Sequence, residues 1–174
     1  MSHILIAYDT TEGQTREIAQ RIADAVASAG HEVELDDIRK LPSRVSIGQF
    51  DSVIVGASIH LGKHSKRFSE FVTEHLQDFE RIPSAFFSVS LSAAVANEEK
   101  QDEAETYVTD FLERSGWHPN TTATFGGGLL YREYWFLKRW IVAWKQTRTS
   151  SLTSKKQAEA GPGGSLMFPR HLRH

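Results

Sequence analysis

Short apolar segments alternate with amphipathic stretches along the first three quarters of the chain. Residues 3 to 8 are almost wholly apolar and run directly into a polar loop that contains Gly13, a pattern typical of a buried parallel strand. Residues 31 to 35 alternate Val and Leu with Glu, which suits a strand at the edge of a sheet. Further strands are predicted over residues 52 to 57, 85 to 91 and 120 to 125.

Between these strands the apolar positions recur every three or four residues, which indicates amphipathic helices. The helices are predicted over residues 15 to 29, from after Gly62 to residue 80, and over residues 98 to 115, and Gly30 stands where a helix C-cap belongs. Five strand and helix units in alternation predict an α/β fold, a doubly wound parallel sheet covered by helices on both faces.

The amino-acid composition excludes several kinds of catalytic and metal site. The 174 residues include no cysteine, which excludes disulfide scaffolds, thiolate metal sites and cysteine nucleophiles, so redox chemistry would require a bound cofactor. No metal site is predicted. The first residues do not resemble a secretory signal, and the longest apolar stretch, residues 134 to 144, contains Lys138 and Arg139 and is too short to span a bilayer. We expect a cytoplasmic protein that is at most attached to a membrane surface.

Charge divides the chain unevenly. Residues 1 to 130 carry 11 Lys and Arg against 20 Asp and Glu, whereas residues 131 to 174 carry nine against two. Residues 131 to 146 hold three of the four tryptophans and are predicted to be helical. Residues 147 to 174 are rich in Ser, Thr, Lys, Gly and Pro and are predicted to form a disordered tail after a single domain, residues 1 to 146. A basic aromatic end on an acidic body indicates an anionic partner.

A candidate ligand loop, Asp9-Thr-Thr-Glu-Gly-Gln-Thr-Arg16, joins the first strand to the first helix. Backbone N–H groups and a helix N-terminus can hold a phosphate there without a lysine, and Thr10 and Thr15 add hydroxyl groups. The alternative, that these residues only cap the helix, carries about equal weight for the isolated motif. The loop lacks both the P-loop signature and G-x-G-x-x-G, which argues against a nucleotide triphosphatase and a dinucleotide site.

The spacing Thr10-x-x-Gly13-x-Thr15 resembles the phosphate loop of flavodoxin-like proteins, which bind FMN. Four stretches extend the likeness in order along the chain: residues 13 to 19, 55 to 59, 68 to 72 and 83 to 89. Together they resemble the flavodoxin-like, quinone-dependent protoporphyrinogen IX oxidases over residues 3 to 145. The resemblance implies a sheet of strand order 2-1-3-4-5, FMN as cofactor, and oxidation of protoporphyrinogen IX to protoporphyrin IX in heme biosynthesis, with menaquinone or ubiquinone as electron acceptor.

The resemblance also implies site residues. Apart from the resemblance, His60 and His64 are candidate proton carriers because the ordinary pKa of histidine is near neutral, with ordinary polar surface as the alternative. Where the family continues with Arg and Tyr, this chain has His60 and Leu61, which removes an aromatic partner for the flavin. The implied cofactor-binding residues are Thr10, Thr11, Glu12, Gly13, Gln14 and Thr15 at the phosphate, Ser58, Ile59, His60, Leu61 and Gly62 on one side of the isoalloxazine, and Ser88, Val89, Ser90, Leu91, Ser92 and Ala93 on the other.

The segment 131 to 148 has the composition of a helix that lies in a membrane interface, with tryptophans at headgroup depth and cations toward anionic lipid. A helix packed on the domain or at a homo-oligomer contact is an equally weighted alternative, and nucleic acid is not expected. The prediction is peripheral association with the inner face of the cell membrane. The family's last helix has no recognisable counterpart in the tail. Two other functions stay open: a flavodoxin-type electron carrier and an NAD(P)H:quinone reductase.

Overall fold

A five-stranded parallel sheet forms the centre of the molecule. The computed structural model describes residues 1–42, 45–90 and 98–126. The strands run in the order β2-β1-β3-β4-β5, so the predicted doubly wound sheet and its strand order are confirmed. Their bounds are β1 His3–Asp9, β2 Glu32–Asp37, β3 Ser52–Ile59, β4 Ser84–Ser90 and β5 Thr121–Gly126.

Three helices connect the strands: α1 (Gln14–Ser28), α2 (Lys66–Arg81) and α3 (Glu98–Ser115). A short 3₁₀ helix, Ile47–Gln49, precedes β3 and was not predicted from the sequence pattern. Within the part of the chain that the structure describes, no helix is both long and apolar enough to cross a membrane. The predicted helical segment 131–146 and the predicted tail 147–174 lie outside the described residues. The prediction that the family's last helix has no counterpart also concerns residues outside the described ones.

Alternate residues of β1 enter two different cores, as strand geometry requires. Ile4 and Ile6 pack with Ile22 of α1 on one face of the sheet. On the other face Leu5 joins a cluster that includes Phe86 and residues of α2 and α3. Both faces of β1 are therefore fully buried, which explains why its sequence is a continuous apolar run rather than an alternating one.

The strand order reverses at β1, because the chain leaves β1 toward β2 on one side and returns to β3 on the other. In open parallel sheets ligands bind at such a switch point, outside the carboxyl ends of the two strands concerned. The ends of β1 and β3 are at Asp9 and Ile59. The topology therefore directs attention to the loops that follow these two residues.

Candidate functional site

The loop between β1 and α1 is held in shape by its own side chains. The backbone N–H of Gly13 donates a hydrogen bond to Thr10 Oγ1 at 2.9 Å. Gly13 has a φ of +91°, in the left-handed region that disfavours any residue with a Cβ, and a Cβ built there meets nothing within 4 Å. Glycine is therefore required by the backbone conformation and not by a lack of space, and the backbone is open to a ligand at this point.

Thr15 lies in the first turn of α1, directly after this loop. Its side chain is fully buried, yet its Oγ1 has no hydrogen-bond partner. A buried hydroxyl without a partner is unfavourable, and the first-turn N–H groups of a helix also lack partners inside the helix. The start of α1 thus brings together a positive helix end and an unpaired hydroxyl, as an anionic ligand requires.

A cleft opens between this loop and the ends of β3 and β4. Eight described residues line it, and each belongs to the set predicted to bind a cofactor: Thr10, Glu12, Gln14, Thr15, Ser58, Ile59, His60 and Val89. These residues come from three separate segments of the sequence. The fold therefore brings together residues that the sequence assigned to one site only through their motifs.

A tight turn follows β3 and forms the rim of the cleft. The backbone N–H of His60 donates to Lys63 O at 2.9 Å, and the N–H of Lys63 donates to His60 O at 3.0 Å. The two residues between them, Leu61 and Gly62, have φ values of +48° and +72°, as in the turns that best match a twisted strand pair. A Cβ on Gly62 would come within 3.0 Å of the Tyr107 ring of α3, so the turn rests on that helix.

Leu61 is the only residue other than glycine with a positive φ in the described parts of the chain. A leucine in this conformation costs about 1 kcal/mol relative to a right-handed one. Its side chain is also fully exposed, at 102% of the reference area, and Leu61 and Gly62 are not among the described residues that line the cleft. No packing among the described residues offsets the backbone cost.

Asp9, the last residue of β1, joins the loop to α2. Its side chain is only 6% exposed, and the carboxylate accepts a hydrogen bond from the Ser65 hydroxyl. Ser65 in turn caps α2, because its Oγ accepts a hydrogen bond from the Phe68 N–H at 3.0 Å. Arg67 Nη1 lies 3.6 Å from Asp9 Oδ1 and balances the buried charge. One carboxylate thus connects the end of β1 to the start of α2.

His64 lies on the far side of the sheet from the phosphate loop. Its Nε2 is 3.0 Å from Ser88 Oγ, and its ring packs against Phe68, Phe86 and Phe111. Burial lowers the pKa of His64 to about 4, and the Arg114 charge adds to this effect. The imidazole is therefore neutral near pH 7, and it is half-buried, with Lys63 and Arg114 beside it at a separate surface cavity. Of the two predicted proton carriers, only His60 lines the cleft.

The other predicted site residues differ in their positions. Thr11 is exposed, whereas Ser88 and Ser90 are buried in β4. Ser88 points toward His64, so its hydroxyl serves the α2 and α3 side of the sheet. Leu91, Ser92 and Ala93 lie outside the described residues.

Comparison with known proteins places this arrangement in a family. Residues 5–155 match the family model described as a flavodoxin domain. The chain is 33% identical over 138 residues to the protoporphyrinogen IX dehydrogenase [quinone] of Escherichia coli (strain K12). The aligned region covers 79% of this chain and 75% of that protein. The chain belongs to this family of flavodoxin-domain proteins. The family resemblance predicted from the sequence is confirmed.

A second relative and a solved structure are also similar to this chain. The relative of the same name from Leishmania major is 33% identical over 139 residues, which is 79% of this chain and 59% of that protein. Among solved structures, a short-chain flavodoxin associated with a bacterial microcompartment superposes with a TM-score of 0.63 at 14% identity, over 84% of this chain and 99% of its own. At that identity the likeness concerns the fold alone, and it agrees with the strand order described above.

Three contributors to the site were missed by sequence reasoning: Asp9 as a connector, Ser65 as its partner and Tyr107 under the turn. A signal existed for Ser65, because Ser followed three residues later by an apolar residue opens a predicted helix. No local signal joins Asp9 to Ser65 or Tyr107 to Gly62, since both pairs are distant in sequence.

Proposed function

We propose that this chain is an FMN-dependent oxidoreductase that oxidises protoporphyrinogen IX to protoporphyrin IX and passes the electrons to a membrane quinone, menaquinone or ubiquinone. The observation that carries the proposal is the 33% identity to a protein of that name over three quarters of its length. The cleft at the β1 and β3 switch point supports it, because the flavodoxin-like strand order binds FMN at that place.

The residues at the start of α1 fit the FMN phosphate. The unpaired Thr15 hydroxyl, the first-turn N–H groups and the open backbone at Gly13 supply donors without a lysine. Thr10 fixes the loop through its bond to the Gly13 N–H. We infer that this loop holds the phosphate, while Ser58 to Gly62 and Ser88 to Ala93 flank the ring system.

When bound, FMN would supply the group that accepts two electrons and a proton from the substrate in each of three successive steps, because the conversion removes six electrons and six protons and reduces three quinones. The chain itself must position both molecules and provide a route for protons. His60 is exposed and lines the cleft, so it is the side chain we assign to proton exchange between the cleft and water. His64 packs against three phenylalanine rings, and its pKa of about 4 keeps its ring uncharged near neutral pH.

We further propose that residues 131 to 148 attach the chain to an anionic membrane surface on the cytoplasmic side. Their support is composition: five cations and three tryptophans within 18 residues. A protein that reduces a lipid quinone must reach the bilayer, and a peripheral attachment meets this need. Sedimentation with vesicles of phosphatidylglycerol and phosphatidylcholine, at 50 mM and at 500 mM salt, tests it. Equal sedimentation with neutral and anionic vesicles contradicts the proposal.

An anaerobic assay tests the main proposal. FMN-loaded protein is mixed with protoporphyrinogen IX, and porphyrin fluorescence is followed with and without a menaquinone analogue. A rise that depends on the quinone is the expected result. Protein that retains FMN but gives no rise is inconsistent with the proposal, and oxidation of NADH or NADPH in its place assigns the chain to the NAD(P)H:quinone reductases. A flavodoxin-type carrier would show neither activity.

A further inference from the structure

The surface cavity beside His64 lies between α2 and α3 and shares no described lining residue with the cleft at the switch point. Its volume is about 260 Å³, whereas pockets for drug-sized ligands begin at about 300 Å³. The buried ring of Phe111 contributes to its wall, and the other described residues that line it are polar or charged. The cavity therefore suits a small polar ligand.

The charge of this cavity is positive. Lys63 and Arg114 line it, and no acidic side chain is among the described lining residues. Neither cation forms an ion pair with another described residue. The surroundings are otherwise acidic, because α3 carries seven acidic residues against two basic ones. Two unpaired cations at one small cavity repel each other, and an anion bound between them removes that repulsion.

The Arg114 side chain is held against its own helix. Its Nε–H donates a hydrogen bond to the Asp110 carbonyl oxygen at 3.1 Å. Its two terminal nitrogens have no hydrogen-bond partner among the described residues, so their N–H groups are available to a ligand. A guanidinium group presents such donors in one plane, which matches two oxygens of an oxyanion.

Two hydroxyl groups of α2 add a second requirement. Ser69 Oγ donates its proton to the Ser65 carbonyl oxygen at 3.2 Å, and Thr73 Oγ1 donates its proton to the Ser69 carbonyl oxygen at 2.8 Å. A hydroxyl has one proton, so these two oxygens can only accept hydrogen bonds from a ligand in the cavity. The ligand that uses the whole lining therefore carries both negative oxygens and an O–H group.

We propose that this cavity binds inorganic phosphate as hydrogen phosphate, whose negative oxygens meet Lys63 and Arg114 while its O–H group donates to Ser69 Oγ or Thr73 Oγ1. Sulfate has the same shape and negative oxygens but no O–H group near neutral pH, and the phosphodiester of a lipid headgroup lacks one as well. The inference goes beyond the proposed function and does not rest on it, because the cavity is separate from the cleft assigned to the cofactor.

The test titrates inorganic phosphate, and separately sulfate, into the FMN-loaded full-length chain at constant ionic strength, with isothermal titration calorimetry as the readout. Loading with FMN keeps the phosphate probe out of the loop before α1. Arg114→Gln and Lys63→Gln each remove one positive charge from the cavity. Lys66→Gln is the matched control, because its side chain is 90% exposed and is not among the lining residues. Melting temperatures show that each variant is folded.

The dissociation constant for phosphate should rise about ten-fold or more in Arg114→Gln, because hydrogen bonds to a charged group are lost. Lys63→Gln should raise it about three-fold, as expected for one exposed charge, and Lys66→Gln should stay within about two-fold of the parent. Sulfate should bind the parent about five-fold more weakly than phosphate, since one hydrogen bond is missing.

The ring of His64 reports on the same cavity by NMR. Burial lowers the pKa of His64, and the Arg114 charge lowers it further. Lys63 and Arg114 are the charged groups that line the cavity beside this ring. Bound phosphate offsets their charge, so phosphate should raise the pKa of His64 toward its ordinary value in the parent and less so in Arg114→Gln.

Four outcomes overturn the inference: no saturable phosphate binding by the parent, equal losses in all three variants, sulfate binding as tight as phosphate binding, or a loss in Arg114→Gln that is confined to phospholipid vesicles. Failure of the proposed function is seen separately. A parent that binds phosphate through Arg114 but does not oxidise protoporphyrinogen IX keeps the site and loses the function. An active parent without phosphate binding loses only the site. If the parent takes up no FMN, titration of the cofactor-free chain still measures the binding that depends on Arg114.

Discussion

The Asp9 carboxylate accepts a hydrogen bond from the Ser65 hydroxyl, and this single contact joins the strand before the phosphate loop to the first turn of α2. Fifty-six positions of sequence separate the two residues. Because α2 follows the turn at His60 to Lys63, the contact joins the end of β1 to the segment that leaves this turn. We expect stability and ligand affinity to be linked at this point.

Removing the Ser65 hydroxyl should weaken both properties. Ser65→Ala loses the α2 cap and leaves the buried Asp9 carboxylate with one partner fewer, so we expect a loss of about 1 to 3 kcal/mol in the free energy of unfolding. Urea denaturation measures it, and FMN titration should show weaker binding. Ser65→Thr keeps a hydroxyl and should stay near the parent. Equal losses for both variants would exclude the hydrogen bonds as the cause.

Gly13 and Gly30 form a matched pair for testing the loop. Both have a positive φ, +91° and +89°, and a Cβ at either meets nothing within 4 Å. Gly13→Leu and Gly30→Leu should each cost about 1 kcal/mol of stability from backbone strain alone. Only Gly13→Leu places a side chain at the proposed phosphate loop, so only that variant should lose FMN binding in a fluorescence titration. FMN retained by Gly13→Leu refutes the loop assignment.

Substitution by valine should change the stability of the protein in opposite directions at two threonines of the loop. Thr15→Val removes a buried hydroxyl that has no partner, so the cofactor-free protein should keep its stability or gain about 1 kcal/mol. Thr10→Val removes the acceptor of the Gly13 N–H and should lose about 1 kcal/mol.

Differential scanning calorimetry of the cofactor-free and FMN-loaded proteins checks both substitutions. The stabilisation on adding FMN should shrink in Thr15→Val, because the hydroxyl is no longer there to meet the phosphate. An undiminished FMN effect in that variant would show that Thr15 serves only the fold.

His64 predicts a pH dependence of stability. Its pKa is lowered to about 4 in the folded protein, by burial first and by Arg114 second, while the unfolded chain has an ordinary histidine value of about 6.5. Between pH 6.5 and pH 4, the unfolded state therefore binds a proton at this histidine that the folded state does not bind. The contribution of neutral His64 to the free energy of unfolding is therefore complete above pH 6.5. It is lost as the pH falls toward 4, by up to about 1.4 kcal/mol per pH unit.

Urea denaturation between pH 4 and pH 7.5 measures this slope. His64→Gln cannot take up the proton and keeps a polar atom near Ser88, so it should show a slope smaller by about one proton in that range. Parallel curves for the parent and the variant would mean that other groups cause the acid sensitivity.

Local sequence patterns predicted the strands and helices well, and burial on both faces explains the continuous apolar run of β1. The helix ends followed similar rules: α1 was predicted over 15 to 29 and is observed over Gln14–Ser28. The predicted edge position of β2 is also confirmed, since its Glu residues face outward while Val33 and Leu35 pack inward.

The chemistry of individual side chains was harder to predict, because it depends on contacts between distant segments. His64 lies in a polar stretch of sequence, and nothing in that stretch predicts its packing against three phenylalanine rings from α2, β4 and α3. Leucine at position 61 gave no sign of a left-handed backbone, since leucine rarely adopts one. The grouping of eight predicted residues around one cleft was foreseeable because the ends of parallel strands meet at one edge.

The acidic side chains of β2 have a consequence for self-association. The strand lies at the open edge of the sheet, and Glu32 and Glu34 are exposed along it. Charged side chains on an open edge repel the matching strand of an identical chain, so edge-to-edge growth into fibrils is disfavoured. Pairing of β2 with the β2 strand of a second copy is therefore disfavoured, and this strand is protected from amyloid-like stacking by its own charge.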